Sequence, residues 1–342
     1  MNIPDELVAA IASGNAVLFV GAGLSVGAGL PSWKQLIDPL AERLSLPDNQ
    51  RGDLLKIAQF YETQRGRHAL ISYIKEQIDA TNSAPTENHR RLTQLGIRTW
   101  LTTNFDDLLE QTLRNAGERV TKVVRDYDLP YAGAERLTLI KLHGDSAQPE
   151  TIVITGQDYN TYARRFPRVK EKLSGLLVDK TFLFIGYSIS DPDFNQLLDD
   201  VAFDLQQHQR MAYAVLFDVN AFILDDLRAR SIQVLNISPD AQTDRSEQLG
   251  ALLDALVGKV EQARQPAPPV ASLPSVAQSA GARGGTVPLQ DEYAYDAFIS
   301  YNQHDREWVE TTLQPQLERA GLRLCLPDRD FAIGAPWIIN ME

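Results

Sequence analysis

The residues of this sequence that could do chemistry fall in four short segments, each directly after an apolar run. Gly21-Ala22-Gly23-Leu24-Ser25 follows AVLFV and is itself followed by Gly27, Gly29, Pro31 and Trp33. Glycines at a strand-to-helix turn let the backbone approach a pyrophosphate, and N–H groups at the helix start receive its charge. A tight turn without a ligand has the same composition, and the spacing is not G-x-G-x-x-G. No acid ends a second strand roughly 20 residues on, which disfavours an ordinary dehydrogenase. Thr102-Thr103-Asn104-Phe105-Asp106 closes the run TWLTT. Polar residues at the C-terminal end of a parallel strand face the ligand crevice, while Asn104 or Asp106 could instead cap a helix starting near Asp107.

Lys141-Leu142-His143-Gly144-Asp145 closes RLTLIKL. A histidine there can take or give a proton near neutral pH, or simply occupy a turn. His68, His89, His208 and His304 sit in helical or loop contexts and read as structural or surface residues. Gly186-Tyr187-Ser188-Ile189-Ser190-Asp191-Pro192-Asp193 follows TFLFI. Ser188 can donate to a phosphate or a ribose, whereas Asp191 before Pro192 reads as an N-cap.

These segments need strands to present them. Apolar, β-branched runs lie at Ala16–Val20, Thr99–Thr102, Leu137–Leu142, Thr181–Ile185, Ala212–Phe217 and Ile232–Ile237. Helical patterns fill Pro31–Leu44, Asp53–Ile78, Asp106–Asn115, Arg168–Val178 and Pro192–Leu205. Runs without polar alternation imply strands buried on both faces. Alternation with helices predicts an α/β, Rossmann-like, doubly wound and mostly parallel sheet. Residues 34–95 contain no convincing strand and are expected to form a helical insertion. The first domain is placed at 1–261. Residues 262–290, with Pro266, Pro268, Pro269, Pro274 and Pro288 among Gly281, Gly284 and Gly285, read as an extended linker. Residues 291–342 begin with a strand at Tyr295–Tyr301, a helix at Asp305–Ala320 stopped by Gly321, and a strand at Leu322–Leu326.

Composition bounds the rest. In 342 residues, 45 acids against 33 bases give −12, so general binding of nucleic acid is not expected. The single cysteine, Cys325, excludes an intrachain disulfide and any zinc site needing two cysteines, and fits a reducing cytosol. No signal peptide and no membrane-length apolar run is apparent, so a soluble cytoplasmic protein is expected.

Taken together, the GAG-x-S loop with its following G-x-P, the T-x-N-x-D box, the HG pair and the later G-x-S resemble the sirtuin (silent information regulator) family over roughly residues 1–240. The resemblance implies a domain that binds NAD and cleaves its nicotinamide–ribose bond. It places Gly21, Ala22, Gly23 and Ser25, with Pro31 and Trp33, around the dinucleotide, together with Thr103, Gly186 and Ser188. It makes Asn104 the residue beside the nicotinamide ribose and a water, Asp106 the one recognising the carboxamide, and His143 the general base. The sequence departs from the protein deacylases of that family, which carry a four-cysteine zinc ribbon, because no cysteine precedes Cys325. No zinc or other metal is expected. The sequence resembles instead the zinc-less sirtuin-like domains of bacterial antiviral defence proteins. The expected activity is NAD+ hydrolysis that depletes NAD in abortive infection. A nucleotide-binding sensor or scaffold, and a deacylase, are the alternatives. Asn236, ending IQVLN, either reaches the adenosine ribose or ends a strand.

Tyr295–Tyr301, His304-Asp305, Trp308-Val309, Leu317-Glu318, Gly321 and Leu326–Phe331 with Gly334 and Trp337 resemble the start of a Toll/interleukin-receptor (TIR) domain, a flavodoxin-like α/β fold. Only its first third to half is covered, and the helix of that family's catalytic glutamate would lie beyond Glu342, so an incomplete TIR domain is expected. Asp328–Asp330 reads as a solvated acidic loop or, by the resemblance, a self-association loop. The partners implied are NAD, further copies of the chain in a homo-oligomer, TIR-mediated assembly and a phage-derived trigger.

Overall fold

The computed structural model describes residues 3–133, 136–189, 192–237, 244–265, 297–299 and 306–325. The chain divides into two compact units, Met1–Pro269 and Val270–Glu342.

In chain order the first unit comprises α1 (Asp5–Ala12), β1 (Ala16–Val20), α2 (Ala22–Val26), α3 (Trp33–Arg43), α4 (Leu54–Arg65), α5 (Arg67–Asp79) and α6 (Glu87–Gln94). There follow β2 (Thr99–Thr102), α7 (Leu108–Asn115), β3 (Val120–Val123), β4 (Leu137–Lys141), α8 (Gly156–Arg165) and α9 (Pro167–Asp179). The unit ends with β5 (Thr181–Ile185), α10 (Pro192–Leu205), β6 (Ala212–Phe217), α11 (Ala221–Ala229), β7 (Ile232–Ile237) and α12 (Arg245–Arg264). The strands form one parallel sheet in the order β3-β4-β2-β1-β5-β6-β7. Every residue of β1, β4 and β5 is buried, because helices cover both faces and a parallel sheet is stable only when so covered. Side chains alternate across β1 with period two. Leu18 and Val20 pack with α1, α6, α7 and α12, and Val17 and Phe19 pack with α8, α9, α10 and α11.

All the apolar runs expected as strands are strands. An additional one, β3, lies at the sheet edge, where Val120 and Lys122 stay half-exposed between buried Thr121 and Val123. Four residues with alternating exposure give no continuous apolar run, so periodicity does not separate β3 from a loop. The single helix expected over Asp53–Ile78 is two. Gly66, at φ +86°, stops α4 and starts α5. The stretch 34–95 is helical but divides between two cores. Helices α3–α5 enclose their own, built on Leu36, Ile37, Leu40, Ile57, Leu70 and Ile74. Helix α6 instead places Leu92 against the sheet. The linker stretch begins inside α12, which runs to Arg264, and its residues from 266 lie outside the described ones.

In the second unit, β8 (Ala297–Phe298) pairs in parallel with β9 (Leu324–Cys325). Between them run α13 (Arg306–Trp308), a π-helical turn at Val309–Leu313 and α14 (Gln314–Arg319), with Gly321 at φ +87° after the end. Pro315 has no N–H to donate, which accounts for the loosened turn before it. This is a β-α-β unit, and the expected limits at Tyr295, Tyr301, Asp305 and Leu326 lie outside the described residues. Asp328–Asp330 lies outside the described residues.

Candidate active site

From β1 the chain crosses to β2, β4 and β3 on one side, and then returns to β5 on the other. The loops leaving β1 and β5 therefore diverge at their C-terminal ends, the switch point where open α/β sheets hold ligands. A cleft of about 820 Å³ lies there, walled on one side by the α3–α5 helices. Ala22, Gly23, Ser25, Pro31, Trp33, Thr103, Asn104, Asp106, His143, Gly186 and Ser188 all line it. Of the residues selected from sequence, Gly21 alone is not on its wall.

The glycines bring the two loops together. Gly21 N–H donates to Ile185 O at 2.9 Å and Gly23 N–H to Gly186 O at 2.8 Å. A Cβ on Gly21 would lie 2.5 Å from Gly186 O, and one on Gly23 2.8 Å from it. Gly186 adopts φ +65°, and a Cβ there would lie 2.5 Å from Leu24 N. The N–H groups of Gly21 and Gly23 are thus engaged by the neighbouring loop. Their role is to let β1 and β5 loops touch. Pro31 and Trp33 flank Ser32, which caps α3 reciprocally with Gln35.

Ser25 joins the β1 loop to the β2 loop. It is 3% exposed, donates to Asp106 Oδ2 at 3.0 Å and accepts from Asn104 Nδ2 at 3.0 Å. Asn104 N–H donates to Thr102 Oγ1 at 3.0 Å. Asn104 is 5% exposed, and its Oδ1 has no hydrogen-bond partner among the described residues. A buried acceptor without a donor is costly, so an amide oxygen on a cleft wall marks where a ligand O–H or N–H would bond. Both oxygens of Asp106 are bonded within the protein. Its Oδ1 accepts from Leu108 N–H at 3.1 Å at the start of α7, while its Oδ2 holds Ser25. Burial pushes the Asp106 carboxyl up, against the pull of Lys141, Leu108 N–H and Ser25.

His143 is half-buried on the cleft wall, with Nδ1 3.5 Å from Tyr159 Oη and the two rings edge to face. Its backbone is pinned because Val153 N–H donates to His143 O at 2.9 Å. Gly144, at φ +90°, follows; a Cβ there would lie 2.4 Å from Thr151 O.

Two residues were given no role from sequence. Tyr159, on α8, lines the cleft but lies in no motif segment. Lys141 is fully buried and hydrogen-bonds the β2 loop. Its signal was present, since lysine is almost never fully buried unless paired and here it ends an apolar run. The amide of Asn236 is occupied in both directions by Val219 at 3.3 Å, which fits the strand-end reading. Among the described residues, no group of three or more His, Cys, Asp or Glu could hold a metal.

A cleft of this size suits a ligand as large as a dinucleotide. It offers the buried acceptor of Asn104, the buried carboxyl of Asp106 and the imidazole of His143, a set able to orient a ribose and take a proton from water. Comparison with known proteins agrees. The chain is 34% identical over 259 residues to NAD(+) hydrolase ThsA of Acinetobacter baumannii, covering 70% of this chain and 53% of that protein. It is 27% identical over 204 residues to Defense-associated sirtuin 2 of Bacillus subtilis, covering 57% and 20%. A separate likeness, 42% over 53 residues, links it to human Toll-like receptor 1, covering 16% and 7%. The chain spans about half the length of the NAD(+) hydrolase ThsA proteins it matches. Residues 98–239, from β2 to just past β7, match the model of the SIR2-like domain.

Proposed function

We propose that the first unit is an NAD+ glycohydrolase, and that it acts in antiphage defence by depleting NAD. The observation that carries this reading is the buried, unpartnered Oδ1 of Asn104 on a switch-point cleft that Asp106 and His143 also line. The names of the relatives support the substrate and the setting.

In this reaction the C1′–N bond breaks and its electron pair leaves with nicotinamide, neutralising the pyridinium. Water oxygen then bonds to the oxocarbenium-like C1′, and the proton it loses passes to His143. The products are ADP-ribose, nicotinamide and a proton. Asn104 Oδ1 accepts from the ribose hydroxyl or the attacking water, and Asp106 faces the carboxamide. The leaving group is already cationic, so orientation and shielding supply most of the acceleration, with a general base adding about 10²–10⁴. We assign homo-oligomeric, TIR-type assembly to the second unit, with a phage-derived trigger releasing the activity. No described helix is long and apolar enough to cross a membrane.

The test is nicotinamide release from NAD by the purified chain, beside Asn104→Ala and His143→Ala, over a range of protein concentrations. Release should fall at least about 100-fold in both variants, and rise steeply with concentration if assembly activates. Release that survives both substitutions would refute the site. Tight ADP-ribose binding with no turnover at any concentration would favour a sensor or scaffold.

A further inference from the structure

Lys141 ends β4, two residues before His143, and its side chain has no solvent exposure. Its ammonium donates to Asp106 O at 2.6 Å, Phe105 O at 3.3 Å and Glu110 Oε1 at 2.9 Å, with Asp145 Oδ1 at 3.6 Å. In the sheet register Lys141 pairs with Thr102, the residue from which the Asn104–Asp106 loop departs. One side chain therefore spans from the strand that carries His143 to the backbone of the loop that carries Asn104 and Asp106.

A buried ammonium requires paired countercharge. Glu110 from α7 and Asp145 after β4 supply the countercharge. Lys122 from β3 shares both acids, bonding Asp145 and lying 3.6 Å from Glu110. Buried ion clusters of this kind are weak stabilisers compared with apolar packing. What the ammonium does that a methionine cannot is donate to two consecutive carbonyls, and so fix the loop backbone.

We infer that Lys141 is a positioning residue for NAD cleavage, anchoring the Phe105–Asp106 backbone so that Asn104 and Asp106 present their side chains to the cleft lined by His143. The inference rests on the NAD-hydrolase reading for its catalytic consequence, and on the hydrogen bonds alone for the anchoring. The same ammonium also sets the charge environment of Asp106, whose other neighbours are Ser25 on α2 and Glu110 on α7.

The experiment compares the full chain with Lys141→Met and with Lys141→Met/Glu110→Gln, the second removing the acid left uncompensated by the first. Three things are read: kcat and KM for NAD from pH 5 to 9, the thermal midpoint, and amide hydrogen exchange of peptides covering residues 103–109. In the double variant kcat should fall about 10- to 100-fold, the cost of slight misplacement of reacting groups, with KM within about threefold. The acid limb of the kcat profile should move upward, since the downward pull of Lys141 on the Asp106 carboxyl exceeds the upward push of Glu110 that is lost with it. Exchange over 103–109 should quicken by at least about tenfold while peptides of β1 and β5 stay unchanged. A folded double variant with parental kcat, pH profile and exchange would overturn the inference. Unfolding of both variants would also overturn it, making Lys141 a determinant of the fold. If the parent chain releases no nicotinamide, the functional reading fails alone, and the exchange of 103–109 still decides the anchoring.

Discussion

His89 is a buried titratable group remote from the cleft, and it makes the stability of the first unit depend on pH in a defined window. It occupies the third position of α6, where its Nδ1 accepts from Thr86 N–H at 3.2 Å and lies 2.9 Å from Thr86 Oγ1. With Nδ1 accepting, Nε2 carries the ring proton, and it has no partner among the described residues. The side chain is 0% exposed, and burial lowers the pKa from the usual 6.5 to about 4. The unfolded chain therefore takes up a proton near pH 6.5 and the folded chain only near pH 4. Between these values the unfolded state binds more protons, so stability rises with pH. The contribution is complete above pH 6.5. At about 1.4 kcal/mol per pH unit, about 2 kcal/mol is lost by pH 5 and about 3 kcal/mol by pH 4. His89→Gln isolates this term, because glutamine retains the capping-box acceptor at that position and does not titrate. Urea unfolding of parent and variant at pH 8, 6 and 5, followed by far-ultraviolet circular dichroism, measures it. Carboxylates elsewhere affect both chains equally and cancel. The stability difference between parent and His89→Gln should shift by about 2 kcal/mol in favour of the variant from pH 8 to pH 5. A difference that stays constant over that range would refute the reasoning.

Two further substitutions probe the contact between the loops. Gly186→Ala must relieve both φ +65° and a Cβ 2.5 Å from Leu24 N; it should lower the thermal midpoint by several degrees, equivalent to about 1–3 kcal/mol of strain, and scanning fluorimetry showing a parental midpoint would count against the tight β1–β5 contact. Ser25→Ala leaves Asn104 Nδ2 and Asp106 Oδ2 without their shared partner, so it should cost about 1–3 kcal/mol in urea unfolding and reduce nicotinamide release at least tenfold; undiminished release would mean that Asn104 and Asp106 hold their positions without Ser25.

The cleft was legible in the sequence because a parallel sheet buried on both faces leaves unbroken apolar runs, and ligand groups must follow each run directly. That logic found the loops after β1, β2, β4 and β5. It did not say what the groups touch. The N–H groups of Gly21 and Gly23 bond Ile185 O and Gly186 O. Ser25 bridges Asn104 and Asp106. Both facts are pairings over more than 70 residues of chain, which local spacing cannot encode. Tyr159 was invisible for a similar reason, since α8 has no motif and its contact with His143 is a tertiary one. Edge strand β3 and the break at Gly66 were lost because short alternation and a lone glycine are ambiguous on periodicity alone.

The helical wall of the cleft is held by apolar burial. Ile37, Leu40, Ile57, Leu70 and Ile74 are each 0% exposed, and fully burying such a side chain contributes about 1.5–3 kcal/mol. A core of this kind needs no metal cross-link to give α3–α5 a fixed shape. It is joined to the sheet domain by apolar contact with Phe105, Ile152 and Ile154, and by polar bonds centred on α8. Arg67, at the start of α5, donates to Asp158 Oδ2 at 2.7 Å and also to Ile152 O. Gln157 N–H donates to Gln59 Oε1 on α4 at 3.0 Å. Asp158 in turn accepts from Ile154 N–H, Thr155 N–H and Arg165. Tyr159, the next residue, faces His143. The brace that fixes the wall is therefore built into the same helical turn that contacts the imidazole. Arg67, Asp158 and Tyr159 add to that packing in setting the spacing between the wall and the proposed base, because a shift of α4 and α5 relative to the sheet must break these bonds or move α8 with it.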